Sequence, residues 1–333
     1  MNNLIISKHK ILSLLLMILS FFTNAQTDNA PILTASGRQV FCPGSSINIV
    51  TDFTITDSDD TGIAAFFIQI SSGYQTGLDR LELIGNHPTI TTSWDVTEGK
   101  LSFAASNGSE ILLADLENAV KEVVFTTAAT TISIEKSFSL STGNLNYLPS
   151  TDHFYEFVSD PNVSWDVAKI RAESRTFFGR QGYLATLTSQ EEAEFAGSQA
   201  SGTGWIGGSD EETEGVWKWV TGPEAGTVFW NGQVNGTTPN YAFWNANEPN
   251  DFGGNEDYAH ITDPSIGNPG SWNDLPLVGG TGPYEPKGYI VEYGAPGDPI
   301  LNIAVSTSIY IPQITSITNA TVCESGYYFG YTI

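Results

Sequence analysis

The chain has 333 residues, of which 13 are Lys or Arg and 37 are Asp or Glu, for a formal net charge of -24. A surface of that sign repels nucleic-acid phosphates and anionic membrane and attracts divalent cations. A hydrophobic fraction of 40%, with 8 Trp, 13 Tyr and 18 Phe, excludes global disorder, and the length leaves room for two or three domains.

At the N-terminus Lys8 and Lys10 precede an apolar run over residues 11–22, followed by Thr23, Asn24 and Ala25. A short basic region, about a dozen apolar residues and a small residue at the cut describe a secretory signal peptide over residues 1–25. A membrane anchor would need roughly 20 apolar residues, and no later segment is long and apolar enough to span a bilayer. The mature chain is therefore expected to be secreted or held at the cell surface.

Residues 27–146 read as all-β. Residues 46–49, 63–70 and 132–140 alternate or form short β-branched runs between Gly, Asn and Asp clusters. That spacing predicts a small β-sandwich. The stretches 54–60, 77–81 and 99–103 resemble the cadherin-like repeats of bacterial surface proteins. Asp57, Asp59 and Asp60 are either calcium ligands or a polar loop between strands.

Residues 147–152 are expected to form a linker. Ser164 then precedes apolar residues at helical spacing, which predicts a capped helix through Ala172. Residues 182–187 read as a strand. Ser189-Gln190-Glu191-Glu192 reads as a capping box opening a second helix, and residues 204–208 return to a strand. The next roughly 75 residues carry little periodicity until a closing strand at 287–293, and so long an irregular stretch needs something to order it. Bound metal is the natural candidate. From Pro299 onward, residues 299–333 are expected to be a linker strand and the opening of a further β-module. Cys42 and Cys323 each open a β-rich segment and read as separate cysteines, not as one long-range disulfide.

Inside the irregular stretch the chain runs Glu248-Pro249-Asn250-Asp251-Phe252-Gly253-Gly254-Asn255-Glu256-Asp257, then Trp272-Asn273-Asp274. Carboxylates mixed with amide carbonyls, with no His or Cys, suit calcium in preference to zinc or copper. Asparagine ligates through its amide oxygen while its NH2 donates outward. A cis bond before Pro249 would turn Glu248 and Asn250 to one side. Calcium accepts up to eight oxygens, which leaves room for two vicinal sugar hydroxyls.

The order helix, strand, helix, Trp205-Ile206-Gly207-Gly208, Trp217-Lys218-Trp219, long loop, Glu-Pro-Asn, Trp-Asn-Asp and final strand is similar to the C-type lectin domain, over residues 153–294. The resemblance implies an α+β C-type lectin-like fold, with two helices, small antiparallel sheets and a calcium-ordered loop, flanked by all-β sandwich segments. It implies a sugar-binding calcium on Glu248, Asn250, Glu256, Asn273 and Asp274, of the mannose type because Glu precedes Asn. It implies a second calcium on Asp210, Glu214, Asp251, Glu256 and Asp257 that orders the loop. The expected partners are glycans ending in mannose, glucose, fucose or N-acetylglucosamine. The family's two disulfides are absent. Ala172 and Val291 occupy the positions of one pair and Tyr258 stands where another cysteine would fall, so packing replaces a crosslink worth roughly 2–4 kcal/mol.

Enzyme chemistry is not expected. His87, His153 and His260 fall in no nucleophile or metalloprotease motif, and carboxylates held on calcium are poor general acids. Trp230, Tyr241, Phe243 and Trp244 are exposed aromatics expected mostly to pack the core or the loop. The alternative reading is a C-type lectin-like module that binds protein, with its calcium purely structural.

Overall fold

Side-chain alternation sets the first half of the fold. In Asp52–Thr56 the buried residues are Phe53 and Ile55, and in Lys100–Ala105 they are Leu101, Phe103 and Ala105. A period of two puts one face of each strand on a core. The computed structural model describes residues 29–130 and 135–311, with the backbone of the short strands Tyr327–Tyr328 and Tyr331–Thr332. The expected signal peptide at 1–25 lies outside the described residues.

β1 (Phe66–Ser72) and β2 (Glu135–Ser141) form the antiparallel centre of a six-stranded sheet that continues through Lys100–Ala105 to Ile90–Asp95. A three-stranded sheet, with Val123–Thr127 between Ile47–Asn48 and Asp79–Leu83, shares its core. Phe41, Phe53, Phe66, Phe103, Phe125 and Phe138 are all essentially inaccessible there. This part is not all-β. Helix α1 (Leu113–Lys121) buries Leu116, Ala119 and Val120, and Leu112 at its N-cap makes no side-chain cap bond. The usual start signal is missing, which is why no helix is read there from the sequence. Asp57 Oδ1 accepts the Asp59 and Asp60 amides at 3.1 and 3.2 Å, so that acidic run closes its own turn.

Residues 147–152 do not link two modules. Asn146–Leu148 pairs with β3 (His153–Ser159), and the intervening residues are the hairpin turn. Helix α2 (Trp165–Glu173) follows, with Ser164 at its N-cap; the Ser164 hydroxyl donates to Asp166 at 2.5 Å and makes no cap bond. Then come β4 (Arg180–Leu184), helix α3 (Gln190–Gly197), β5 (Gly204–Ser209), β6 (Val216–Trp219), β7 (Val228–Asn231), β8 (Tyr258–Ile261), β9 (Trp272–Leu275) and β10 (Gly288–Tyr293). β10 is the hub, antiparallel to β3 and β4 and parallel to β5. Every residue of β5 and β10 is buried, because cores lie on both sides. One contains Trp205, Tyr289 and Val291 with α2; the other contains Trp217, Trp219, Phe229 and Trp272.

The stretch without periodicity holds four short strands, β6 to β9. Trp219 stacks on Phe229 at 4.4 Å. Trp272 meets Trp219, Phe229, Tyr241 and Trp244 edge-on, at 5.5 to 5.9 Å. Trp230, Tyr241, Phe243 and Trp244 are partly buried against this core, not exposed. Aromatic packing therefore orders much of the stretch. Ala172 and Val291 are fully buried, and a Cβ added to Gly182 would meet Ala172 O at 2.8 Å and Val291 Cγ1 at 2.9 Å. Tyr258 packs on Trp165, ring centroids 4.8 Å apart.

The chain then returns to its first part. β11 (Ala304–Tyr310) enters the six-stranded sheet between β2 and Arg38–Val40, antiparallel to the former and parallel to the latter. The expectation of a linker strand toward a further module fails for these residues. Their alternation is the same whichever sheet receives them, so the sequence does not name the partner. Cys42 is disulfide-bonded, which corrects its reading as a separate cysteine; Cys323 lies outside the described residues. The second part thus hangs between adjacent, paired strands. At the stem the Thr142 amide donates to Ile303 O at 3.0 Å. Buried Arg180 donates to Asp152 O at 2.5 Å and Pro299 O at 3.2 Å. Among the described residues no helix is long and apolar enough to cross a membrane.

Candidate functional site

The peptide bond between Glu248 and Pro249 is cis, and Asn250 Nδ2 donates to Glu248 Oε2. Asn247 and Asp251 take positive φ of 70° and 46°, followed by Gly253 and Gly254 at 87° and 77°. Asn, Asp and Gly are the residues that tolerate such a path. Carboxylates pin it. Asp274 Oδ2 accepts the Asn250 and Asp251 amides at 3.0 and 2.8 Å. Glu256 Oε2 accepts the Phe252 amide at 2.8 Å, and Asp251 Oδ1 accepts the Glu256 amide at 3.2 Å. Asn273 and Asp274 come from β9, where pairing with β8 fixes their register.

Glu248, Asn250, Glu256 and Asn273 line one cavity of about 610 Å³. Asp274 is fully buried and holds the cavity's edge through the amides it accepts. Burial, followed by the charge of Asp274, pushes Glu248 up to about 8. Burial, then Asp274 and Asp251, pushes Glu256 up to about 7. Asp274 is raised by burial, against the backbone amides that it accepts. These are acceptor oxygens crowded together and partly or wholly withdrawn from water, and positive charge relieves them.

A second cluster lies beyond the end of β5. Asp210, Glu214 and Asp257 place carboxylate oxygens within 4.8 Å of one another. Asp210 Oδ2 accepts the Gly215 amide at 2.8 Å. Burial, then Glu214, Asp257 and Asp274, pushes Asp210 up to about 7. Asp251 and Glu256, expected in the same set, fall outside the trio, yet the charge of Asp251 adds to burial in raising both Glu214 and Asp257. Asp210 Oδ1 and Asn273 Oδ1 are buried and have no hydrogen-bond partner. Orphaned acceptors within an all-oxygen donor set fit a hard divalent cation.

A third cluster was not read from the sequence as a site. His153, Glu192 and Glu292 are as close together as the trio, but protein donors fill them. The Tyr155 hydroxyl donates to Glu192 Oε1 at 2.6 Å and the Thr188 amide to Glu192 Oε2 at 2.6 Å. Glu292 Oε1 is hydrogen-bonded to His153 Nδ1 at 2.5 Å, and its Oε2 accepts the Thr186 amide at 2.9 Å. Only half of the expected capping box forms. Ser189 Oγ accepts the Glu192 amide at 3.2 Å, while the Glu192 carboxylate turns inward to lock α3 against β3. Sequence reasoning also missed Phe252, Asn255, Gly279, Gly280 and Tyr284 as cavity-lining residues. Phe252 and Asn255 stand inside the motif run, and that position was their only signal.

Residues 175–276 match the family described as "Lectin C-type domain". Halomucin of Haloquadratum walsbyi is 37% identical over 279 residues, which is 80% of this chain and 3% of that protein. Mouse C-type lectin domain family 4 member F is 38% identical over 109 residues, 31% of this chain and 17% of its own length. Human C-type lectin domain family 4 member E is 30% identical over 135 residues, 40% of this chain and 52% of its own. The chain thus spans less than two thirds of each relative. Among solved structures, the C-type lectin CEL-I from Cucumaria echinata aligns over 45% of this chain and 99% of its own at 20% identity, with a TM-score of 0.32, too low a score to carry the assignment. The family match and the sequence relatives support a C-type lectin domain within this chain.

Proposed function

We propose that the chain is a secreted or surface-held, calcium-dependent lectin of the mannose type, without enzymatic activity. The observation that carries this is the convergence of Glu248, Asn250, Glu256 and Asn273 on one cavity, with Asp274 securing the loop behind them. The match of residues 175–276 to the C-type lectin family supports carbohydrate as the ligand class. A bound calcium ion supplies coordination positions for two vicinal sugar hydroxyls. Each hydroxyl donates to a carboxylate, Glu248 or Glu256, and accepts from an amide, Asn250 or Asn273. The order Glu then Asn fits equatorial vicinal hydroxyls, as in mannose, glucose, fucose and N-acetylglucosamine termini. Asp210, Glu214 and Asp257, with Asp251 and Glu256 beside them, form the proposed second calcium position, which steadies the 247–257 loop. The basic and apolar leader supports export, and the acidic surface suits a calcium-rich exterior.

Retention of the purified chain on immobilised mannose tests the proposal. We expect retention with calcium and release by chelator or by free mannose. Passage through the column with calcium saturating, while calcium itself binds, would leave only a structural role for the ion.

A further inference from the structure

Away from the 248–274 loop, the core of the first part holds a charged pair. Lys136 lies in β2, and Asp79 opens the strand Asp79–Leu83 of the three-stranded sheet. The pair therefore bridges the two sheets that share this core. Their side chains are 1% and 0% exposed, with Lys136 Nζ 2.7 Å from Asp79 Oδ2. Lys and Asp are almost never buried so completely unless paired. The surroundings are aromatic: Nζ sits 5.8 Å from the centre of the Phe125 ring, and Phe125 packs on Phe138. Two ions withdrawn this far from water are costly and gain little net stability as a pair.

The hydrogen bonds around the pair are uneven. Lys136 Nζ donates to Gly73 O at 2.5 Å and to Gln75 Oε1 at 3.4 Å. Asp79 Oδ2 accepts the Gln75 amide at 2.8 Å as well as Nζ. Asp79 Oδ1 is buried and has no hydrogen-bond partner. A carboxylate kept as an ion would need donors on both oxygens. An amide joining Nζ to Asp79 Cγ needs fewer partners. Its N–H has the Gly73 carbonyl, its remaining oxygen has the Gln75 amide, and the orphaned oxygen is the one that departs. The turn that supplies these partners is itself fixed, because the Leu78 and Asp79 amides both donate to Gln75 O at 3.0 Å. Amine and carboxyl thus meet in a held geometry.

We propose that Lys136 and Asp79 condense into an isopeptide bond that staples together the two sheets of the first part. The step starts from the neutral pair, after one ammonium proton passes to Asp79 Oδ1. The Nζ lone pair attacks Cγ, and the negative charge that develops on Oδ2 faces the Gln75 amide. A second Nζ proton then moves to the Oδ1 hydroxyl, the Cγ–Oδ1 bond breaks and one water leaves. Nothing is oxidised or reduced, and no co-reactant is consumed. β2 is also the strand from which the second part leaves, so the bond anchors the stem to the opposite sheet.

The test is mass spectrometry of the full chain after disulfide reduction, intact and as a tryptic digest that also fixes its N-terminus. We expect an intact mass one water below that of the sequence. Trypsin cuts after a free lysine, so acylated Lys136 should resist it and leave a branched peptide joining residues 39–80 to residues 122–169. Lys136→Arg keeps the positive charge but lacks the amine, and it should restore the missing water and give only linear peptides. The wild-type digest decides the matter even if that variant does not fold. An intact wild-type mass equal to that of the sequence, with cleavage after Lys136, overturns the inference. So does a branched peptide that joins any other pair of residues.

Discussion

Glu248 and Asn250 stand either side of a proline with their side chains in contact, and each gives a sugar hydroxyl a different hydrogen-bonding role. Exchanging the roles should exchange the sugar. In Glu248→Gln with Asn250→Asp, we expect preference between mannose and galactose to move about tenfold toward galactose, measured by competition for immobilised glycan; an unchanged ranking contradicts the assigned roles. Asp210→Asn removes one anionic ligand and should weaken calcium binding by about tenfold or more, read by calorimetry. Asp57→Asn should leave it unchanged, because that carboxylate serves its own turn. The raised carboxylates also fix a sign. Glu248, Glu256 and Asp210 keep their protons to about 8, 7 and 7 in the metal-free fold, above the ordinary carboxylate range. The folded state therefore binds more protons than the unfolded chain, and stability is lost as pH rises. The buried His260, which burial pushes down to about 4, is charged only in the unfolded chain and opposes this weakly, an effect that fades above about pH 7.5. We expect the melting temperature of the calcium-free protein to fall between about pH 6.5 and 8, and calcium to reduce the slope to the part that Glu192, pushed up to about 7, and His153, also raised, contribute away from the calcium positions. A rise over that interval would contradict the electrostatic account.

At the scale of elements, the Glu-Pro-Asn and Trp-Asn-Asp runs were legible because they are contiguous donor sets of recognisable chemistry. The elements around them were legible only where local pattern decides. α2, α3, β4, β5 and β10 were found close to where they lie. β6 to β9 were not, because two-residue alternation such as Trp217 and Trp219 is too short to register, and the partners that bury it are remote. Helix α1 was missed because Leu112 gives no cap. Close packing at β10 offers a direct check. Gly182→Ala would drive a methyl onto Ala172 O and Val291 Cγ1, and we expect a loss of about 1–3 kcal/mol in denaturant unfolding. A neutral result would mean that the packing of Gly182 against Ala172 and Val291 is slack.

Among the described residues the second part is inserted into the first, which the sequence does not announce. The second part leaves the first at β2 and returns at β11, and those strands pair along seven residue pairs from Glu135 and Tyr310 to Ser141 and Ala304. The site is therefore carried on a two-strand stem and not on a single swinging linker. Ending the chain at residue 296 should remove a central strand from the six-stranded sheet. We expect residues 29–141 then to become sensitive to limited proteolysis; unchanged resistance would show that β11 is dispensable. The central claim is calcium-dependent recognition of vicinal sugar hydroxyls by the 248–274 loop. A glycan array probed with the full chain, once with calcium and once with chelator, tests it most directly. The account predicts signal on mannose, glucose, fucose or N-acetylglucosamine termini that chelator abolishes. A blank array at saturating calcium, or glycan signal that survives chelation, would contradict it.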